Sequence, residues 1–420
     1  MEKEKVIIIA ANINKNINDE IQELTNLCSA CSMDVLEFII QNIDNINSKT
    51  YLGPGKLKEV KALIDALEVD AIVANDELSP LQINNMQDLL DVVIYDRPYV
   101  ILEIFKRRAK TKEAILQVDI ASLYYLLPRL VGLRSNLSRQ RGGGGNALHG
   151  RGGGETKLEL DRRNIIDRIA YLKKELKILT IERQLQRKKR KRSNLPLVAL
   201  VGYTNSGKST TLNALLQYSK KTKKVVFTKD MPFATLETAT RLIKLNNNHE
   251  FLIVDTIGFV HKLPFQLIEA FKSTLEEIKE ADLILHIVDC SSRFYLEQIN
   301  TTEAILKEIG VNNIPVLYVL NKIDKISDEF FIPPNSEDYL RISAKEQINL
   351  DQLIAHIEEA LFNKEIIATF LIPYPKGEIV NLLSSESAIK AMKHTNEGTL
   401  ITAQVSPALL AKLQAYEQKI

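Results

Sequence analysis

The chain has 420 residues, 45% hydrophobic and 26% charged, with a formal net charge of +2 and three cysteines. That balance excludes a disordered polyelectrolyte, and the length accommodates roughly two to four domains. No apolar run approaches a membrane span, and Met1-Glu2-Lys3-Glu4-Lys5 lacks the layout of a signal peptide. A soluble, monomeric protein of the reducing cytoplasm is expected, with a peripheral membrane position as the secondary expectation.

The first hundred residues read as an α/β unit. Val6-Ile7-Ile8-Ile9-Ala10 and Ala71-Ile72-Val73-Ala74 are short buried strands, with amphipathic helices near 17–28 and 56–67. Cys28 and Cys31 form a Cys-x-x-Cys, but no second pair completes a zinc site, and Ile21–Ile40 reads as helix. Two ordinary semi-buried thiols are therefore expected. Gly53-Pro54-Gly55 lacks the spacing of a phosphate loop and reads as a turn opening a helix.

From about residue 105 to 193 long helices take over. Leu116, Ile120, Leu123, Leu127 and Leu130 step by four and three, as do Ile165, Ile169, Leu172, Leu176 and Leu179. These stripes predict an antiparallel hairpin with a coiled-coil seam, its first helix bent or ended by Pro128. The connection carries Arg139, Arg141, His149 and Arg151 among glycines 142–145 and 150–154. A passive spacer has no need of those side chains, whereas arginine pairs with phosphate or stacks on a base, so an RNA-contacting tip is the preferred reading. The second helix ends in Arg187-Lys188-Lys189-Arg190-Lys191-Arg192, more charge than a helix dipole uses. RNA is the expected partner; a membrane surface competes, but no apolar face accompanies the run.

Behind the strand Leu197–Val201 stands Gly202-Tyr203-Thr204-Asn205-Ser206-Gly207-Lys208-Ser209, a phosphate-binding loop leading into a helix. Its backbone N–H groups and the helix N-terminus suit a phosphate chain. Lys208 would reach the outer phosphates, and the Ser209 hydroxyl would ligate Mg2+. Thr235, in Phe233-Ala234-Thr235-Leu236-Glu237, is the natural second hydroxyl ligand. Asp255-Thr256-Ile257-Gly258 follows a strand at 251–255; its carboxylate can hold the metal through water, and the Gly258 N–H can meet the γ-phosphate. Lys208, Thr235 and Gly258 are thus the groups expected to act on the reacting phosphate.

Asn321-Lys322-Ile323-Asp324 selects the base. A carboxylate there accepts two hydrogen bonds from guanine N1–H and its 2-amino group; adenine would leave it unpaired, discrimination of about 10⁴ or more. Ser343-Ala344-Lys345 would contact guanine O6 through backbone. The ligand is GTP, and the product GDP. Strands at 197–201, 251–255, 284–289, 316–320 and 339–342 alternate with helical patterns, which predicts a doubly wound parallel sheet. Phe259 occupies the place where many small GTPases put a water-orienting glutamine, so isolated turnover should be slow. The missing group would come from a binding partner or, less favoured, from a potassium ion beside Asn205.

After the G domain, Ile366–Pro373 and Thr399–Ala403 read as strands, and 379–393 and 406–417 as helices. The expected domains are therefore an N-terminal α/β domain (1–105), a helical hairpin with a glycine-rich loop (106–195), a GTPase domain (196–365) and a small C-terminal α/β domain (366–420).

Taken together, Gly154-Glu155-Thr156-Lys157-Leu158-Glu159-Leu160-Asp161-Arg162-Arg163, Leu116-Gln117-Val118, Tyr125–Leu130, Val198–Asn205 and Asn75–Pro80 resemble HflX-type GTPases over about residues 6–365. The resemblance implies a GTPase that binds the large (50S) ribosomal subunit and its rRNA, with the hairpin loop directed toward the peptidyl-transferase centre. It implies splitting of stalled or idle ribosomes under stress, and it brings ATP as a further candidate ligand of the N-terminal region. Gly152–Glu155 departs from the family where proline is common, and Ser206 where alanine is common. The rivals are a GTP-switched protein that recruits an effector and an ATP-driven RNA remodeller.

Overall fold

The computed structural model describes residues 3–13, 17–130, 152–192, 195–219, 239–245, 249–262, 267, 271, 275–326, 339–363, 366–405 and 407–418. The chain divides into two compact units. One holds the residues up to Arg187 together with Gly258–Thr274; the other holds Thr238–Ile257 and Leu275–Ile420 with the chain from Lys188.

In the first unit, β1 (Glu4–Asn12), β2 (Met33–Asn42), β3 (Ala71–Ala74) and β4 (Val93–Asp96) form a parallel sheet in the order β2-β1-β3-β4. Val6 to Ala10 are fully buried, as expected of a central parallel strand with both faces covered. The helices are α1 (Ile17–Ala30), α2 (Pro54–Leu67), α3 (Pro80–Leu90) and α4 (Arg97–Arg108). Each proline stands in a first helical turn, where its missing N–H is not needed. Ser79 and Gln82 add a capping box to α3. One face of the sheet packs Ile7, Ile9 and Ile72 against Leu57, Val60, Ile64 and Met86.

The helical reading of Ile21–Ile40 fails beyond Ala30. Ser32 adopts a left-handed backbone (φ 61°), and the Val35, Phe38, Ile39 and Ile40 stretch pairs with β1 as β2. Cys28 and Cys31 are more buried than expected, and burial pushes both thiols up to about 12. Such thiols stay protonated, which suits neither redox nor metal chemistry.

Further along, α5 (Lys112–Leu126) ends in a 3₁₀ turn at Leu127–Arg129, where Pro128 stands, and α6 runs from Gly152 to Arg192. The expected seam forms: Leu116 and Ile120 meet Leu172, with Leu123, Tyr124, Leu176 and Leu179 alongside. Among the described residues no helix is long and apolar enough to cross a membrane.

The second unit is built on β5 (Leu197–Val201), β6 (Ala239–Lys244), β7 (Glu250–Asp255), β8 (Leu283–Asp289), β9 (Val316–Asn321) and β10 (Tyr339–Arg341), in the order β10-β9-β8-β5-β7-β6. The sheet is mixed rather than wholly parallel, because β6 pairs antiparallel with β7 at the edge. Helices α7 (Lys208–Tyr218), α8 (Tyr295–Glu308) and α9 (Leu350–Phe362) accompany it. Val198, Leu200, Leu285, Ile287 and Val319 centre its core, with Leu353 and Ile357 of α9.

The C-terminal segment carries β11 (Ile366–Ile372), α10 (Gly377–Glu386), β12 (Ala388–Thr395), β13 (Gly398–Val405) and α11 (Pro407–Leu413). The helix expected at 379–393 stops at Glu386, and its remainder becomes β12. Ser387 turns extended (φ −144°) and caps the helix, its N–H and hydroxyl both donating to the Leu383 carbonyl, and beyond β12 Gly398, at φ 155°, closes a β12–β13 hairpin where a Cβ would lie 2.3 Å from the Ile372 carbonyl oxygen.

Candidate functional site: a phosphate loop tied to a base pocket

In the second unit, Gly202 leaves the carboxyl end of β5 beside β8, where the sheet reverses its winding; ligands of open α/β sheets bind at such a place. The loop needs both of its glycines. Gly202 (φ 144°) would drive a Cβ to 2.2 Å from the Ile287 carbonyl oxygen, and Gly207 (φ 97°) would drive one to 2.1 Å from Asn321 Nδ2. Asn205 is also left-handed, at φ 61°. Thr204 lies in the turn between them.

Lys208 opens α7 and folds back under the loop. Its Nζ donates to the carbonyls of Gly202 (3.0 Å) and Tyr203 (2.7 Å). The ammonium is buried, and burial lowers its pKa to about 8, against the opposing pull of Asp255. A buried cation satisfied only by neutral carbonyls favours the arrival of an anion. His286, buried in β8, is lowered to about 3 by burial and then by Lys208, so it remains neutral. Ser206 Oγ is buried with no hydrogen-bond partner among the described residues.

Ser209 and Asp255 come together, the hydroxyl donating to Asp255 Oδ2 at 2.7 Å. Thr256 Oγ1 donates to the Leu200 carbonyl at 2.6 Å, fixing the end of β7 against β5, and Ile257 is buried. Gly258 begins the segment that belongs to the first unit. Phe259 is 1% exposed, an apolar side chain without hydrogen-bonding capacity. Phe233, Ala234, Thr235, Leu236 and Glu237 lie outside the described residues, as do Arg139, Arg141 and Arg151.

Asn321 joins the motifs. Its Nδ2 donates to the Ser206 carbonyl at 2.9 Å, and its Oδ1 accepts from the Ala344 N–H at 3.0 Å. Lys322 is left-handed (φ 68°) and donates to Asp289 Oδ2 at 2.7 Å. Ile323 N–H donates to the Ile342 carbonyl at 3.3 Å. Asp324 Oδ1 accepts from the Ser343 hydroxyl at 2.6 Å, a bond that lowers its pKa and keeps it ionised. Ser343 Oγ in turn accepts from the Glu346 N–H, and Lys345 pairs with Glu346 at 3.0 Å.

Two contributors were missed by the sequence reading. Asp289 anchors Lys322, and Cys290 donates both its N–H (3.1 Å) and its thiol (2.7 Å) to the Asn321 carbonyl. Their signal was positional: they end and follow β8 as Asn321 ends β9.

Three family models match in succession: one described as GTP-binding GTPase N-terminal over residues 18–106, GTP-binding GTPase Middle Region over 108–190, and 50S ribosome-binding GTPase over 197–322. The chain is 40% identical over 415 residues to a GTPase HflX of Caldanaerobacter subterraneus subsp. tengcongensis, covering 99% of this chain and 94% of the relative. It is 40% identical over 417 residues to a GTPase HflX of Lacrimispora saccharolytica, covering 98% and 96%. Among solved structures, an SsGBP–GDP complex is similar at 26% identity over 86% of this chain and 99% of that one, with a TM-score of 0.48.

Proposed function

The chain belongs to the GTPase HflX family and is a GTP-hydrolysing enzyme; from that premise we propose that it binds the large ribosomal subunit and uses GTP turnover to split or rescue stalled or idle ribosomes. The observation that carries this reading is the match of residues 197–322 to a model described as a 50S ribosome-binding GTPase. The six basic residues that end α6 support it, as does the arginine-bearing glycine segment at 139–154, because both suit a phosphate backbone.

In this reading the loop Gly202–Ser209 cradles the phosphates, and Lys208 neutralises their charge. Asp324 reads guanine, and Ser343 holds that carboxylate in place. The adjoining oxygens of Ser209 and Asp255, 2.7 Å apart, are a hard donor pair that fits Mg2+. The ion would be held by Ser209, by Asp255 through water and by Thr235, and when bound it supplies charge neutralisation at the phosphates. Gly258 would meet the γ-phosphate through its N–H.

With Phe259 buried where a water-orienting residue is wanted, turnover by the free protein is slow, and the subunit supplies the missing group. Potassium beside Asn205 is the competing source.

Purified large subunits test both parts. Co-sedimentation with a non-hydrolysable GTP analogue should retain the wild type and lose the variant with Arg139, Arg141 and Arg151 all changed to alanine, whose GTP affinity stays unchanged. Single-turnover hydrolysis in sodium and in potassium should accelerate on subunit addition in both. Equal sedimentation of the variant removes the RNA role of the loop, and fast hydrolysis by the free protein in sodium refutes the missing-group argument.

A further inference from the structure

Arg129 closes the 3₁₀ turn that ends α5, and the stretch that follows, 131–151, lies outside the described residues and carries Arg139, Arg141 and Arg151. Helix α5 packs on α4 and is largely buried as far as Ala121. It is half-exposed over 122–127, and the chain is buried again at Arg129. Apolar packing therefore fixes the near part of the helix, and something else must fix its end.

That something is a single carboxylate. Asp96 ends β4, is fully buried, and accepts four hydrogen bonds. Its Oδ1 accepts from the Tyr99 N–H at 3.1 Å, capping α4, and from the Tyr125 hydroxyl at 2.7 Å. Its Oδ2 accepts from the Leu78 N–H at 3.1 Å and from Arg129 Nη2 at 2.9 Å. Arg129 also donates to the Leu78 carbonyl at 2.9 Å and to the Tyr125 carbonyl at 2.8 Å, with its guanidinium 3.6 Å from the centre of the Tyr125 ring. Burial, and after it the charge of Asp96, pushes the Tyr125 hydroxyl well above its ordinary range, so it stays a donor. A helix end needs only its own last carbonyls satisfied. This one is bonded instead to the β3–α3 connection and to the tip of β4. The planar fork of one arginine serves acceptors on three segments at once, which a lysine ammonium cannot reproduce.

We propose that Asp96, Tyr125 and Arg129 are positioning residues for large-subunit binding: they fix the direction in which the chain leaves α5, and with it where the arginines of the glycine-rich loop are delivered. This rests on the reading that the loop contacts ribosomal RNA. A stem held in one orientation has less freedom to lose on binding, so the knot raises affinity without touching the subunit. Nucleotide binding, which belongs to the other unit, does not depend on it.

The test uses the full-length protein with Arg129→Lys, Arg129→Met and Tyr125→Phe. Spin labels on Lys58→Cys in α2 and Ile166→Cys in α6, both exposed positions, report how the hairpin sits on the N-terminal sheet, since the three native thiols are buried. Both Arg129 variants should broaden the label-to-label distance distribution and weaken binding to purified large subunits by about tenfold, and Tyr125→Phe by about threefold. GDP affinity should not move in any of them. Where Arg129→Met fails to fold, the two milder variants carry the test. An unchanged distance distribution, wild-type subunit affinity in the variants, or full rescue by lysine overturns the proposal. A wild type that binds no large subunits removes the ribosome reading, and this proposal with it; a wild type that binds while the variants bind equally well removes the proposal alone.

Discussion

Both units place polar groups at the carboxyl ends of parallel strands beside a switch point, yet they are built from different materials. In the second unit the site is mostly backbone: two glycines that admit no Cβ, carbonyls that hold Lys208, and an asparagine that ties one loop to another. In the first it is side chain: Glu20, Glu23 and Asp76 face cations, and Asn75, Tyr51 and Arg97 hold them in place. Oriented backbone groups and a buried lysine suit an anion of fixed shape, whereas a cluster of carboxylates suits a cation. The same strand geometry therefore carries a phosphate loop in one place and a charge network in the other.

Three changes probe this contrast, the largest effect first. Asp324→Asn should weaken GTP by about ten-thousand-fold and improve xanthosine triphosphate, whose 2-oxygen suits an amide donor. Titration of GTP, xanthosine triphosphate and ATP checks it, and unchanged GTP affinity would refute the guanine assignment. Arg97→Met should destabilise the protein by about 3–5 kcal/mol in urea unfolding, since it strips a fully buried ion-pair partner from Glu23. GDP affinity should persist, because the charge network serves the other site. Ser206→Ala should stabilise the nucleotide-free protein by about 1 kcal/mol, because it removes a buried hydroxyl without a described partner. A loss of stability on that change would mean that the hydroxyl is satisfied.

The phosphate loop and base motif were legible because each is a fixed spacing that follows an apolar strand, and β5, β7, β8 and β9 stand where their apolar runs predicted. Elements that depend on distant pairing were harder to read. Leu242, 41% exposed in edge strand β6, gave the Thr240–Lys244 stretch no clean alternation. Most of β2 and of β12 was absorbed into the preceding helices because the breaks at Ser32 and Ser387 were overlooked. The charge cluster of the first unit was invisible for another reason. Glu20, Asp76 and Lys262 are ordinary surface residues until the fold brings position 262 to position 20, and no local spacing records such a meeting.

Asn321 has a kinetic consequence. One carboxamide is bonded at both ends, to the phosphate loop through Ser206 and to the base loop through Ala344. Displacing either loop breaks a bond to the other, so the two loops are expected to loosen together, and Asn321→Ala should speed GDP dissociation, which a stopped-flow chase with unlabelled GDP checks.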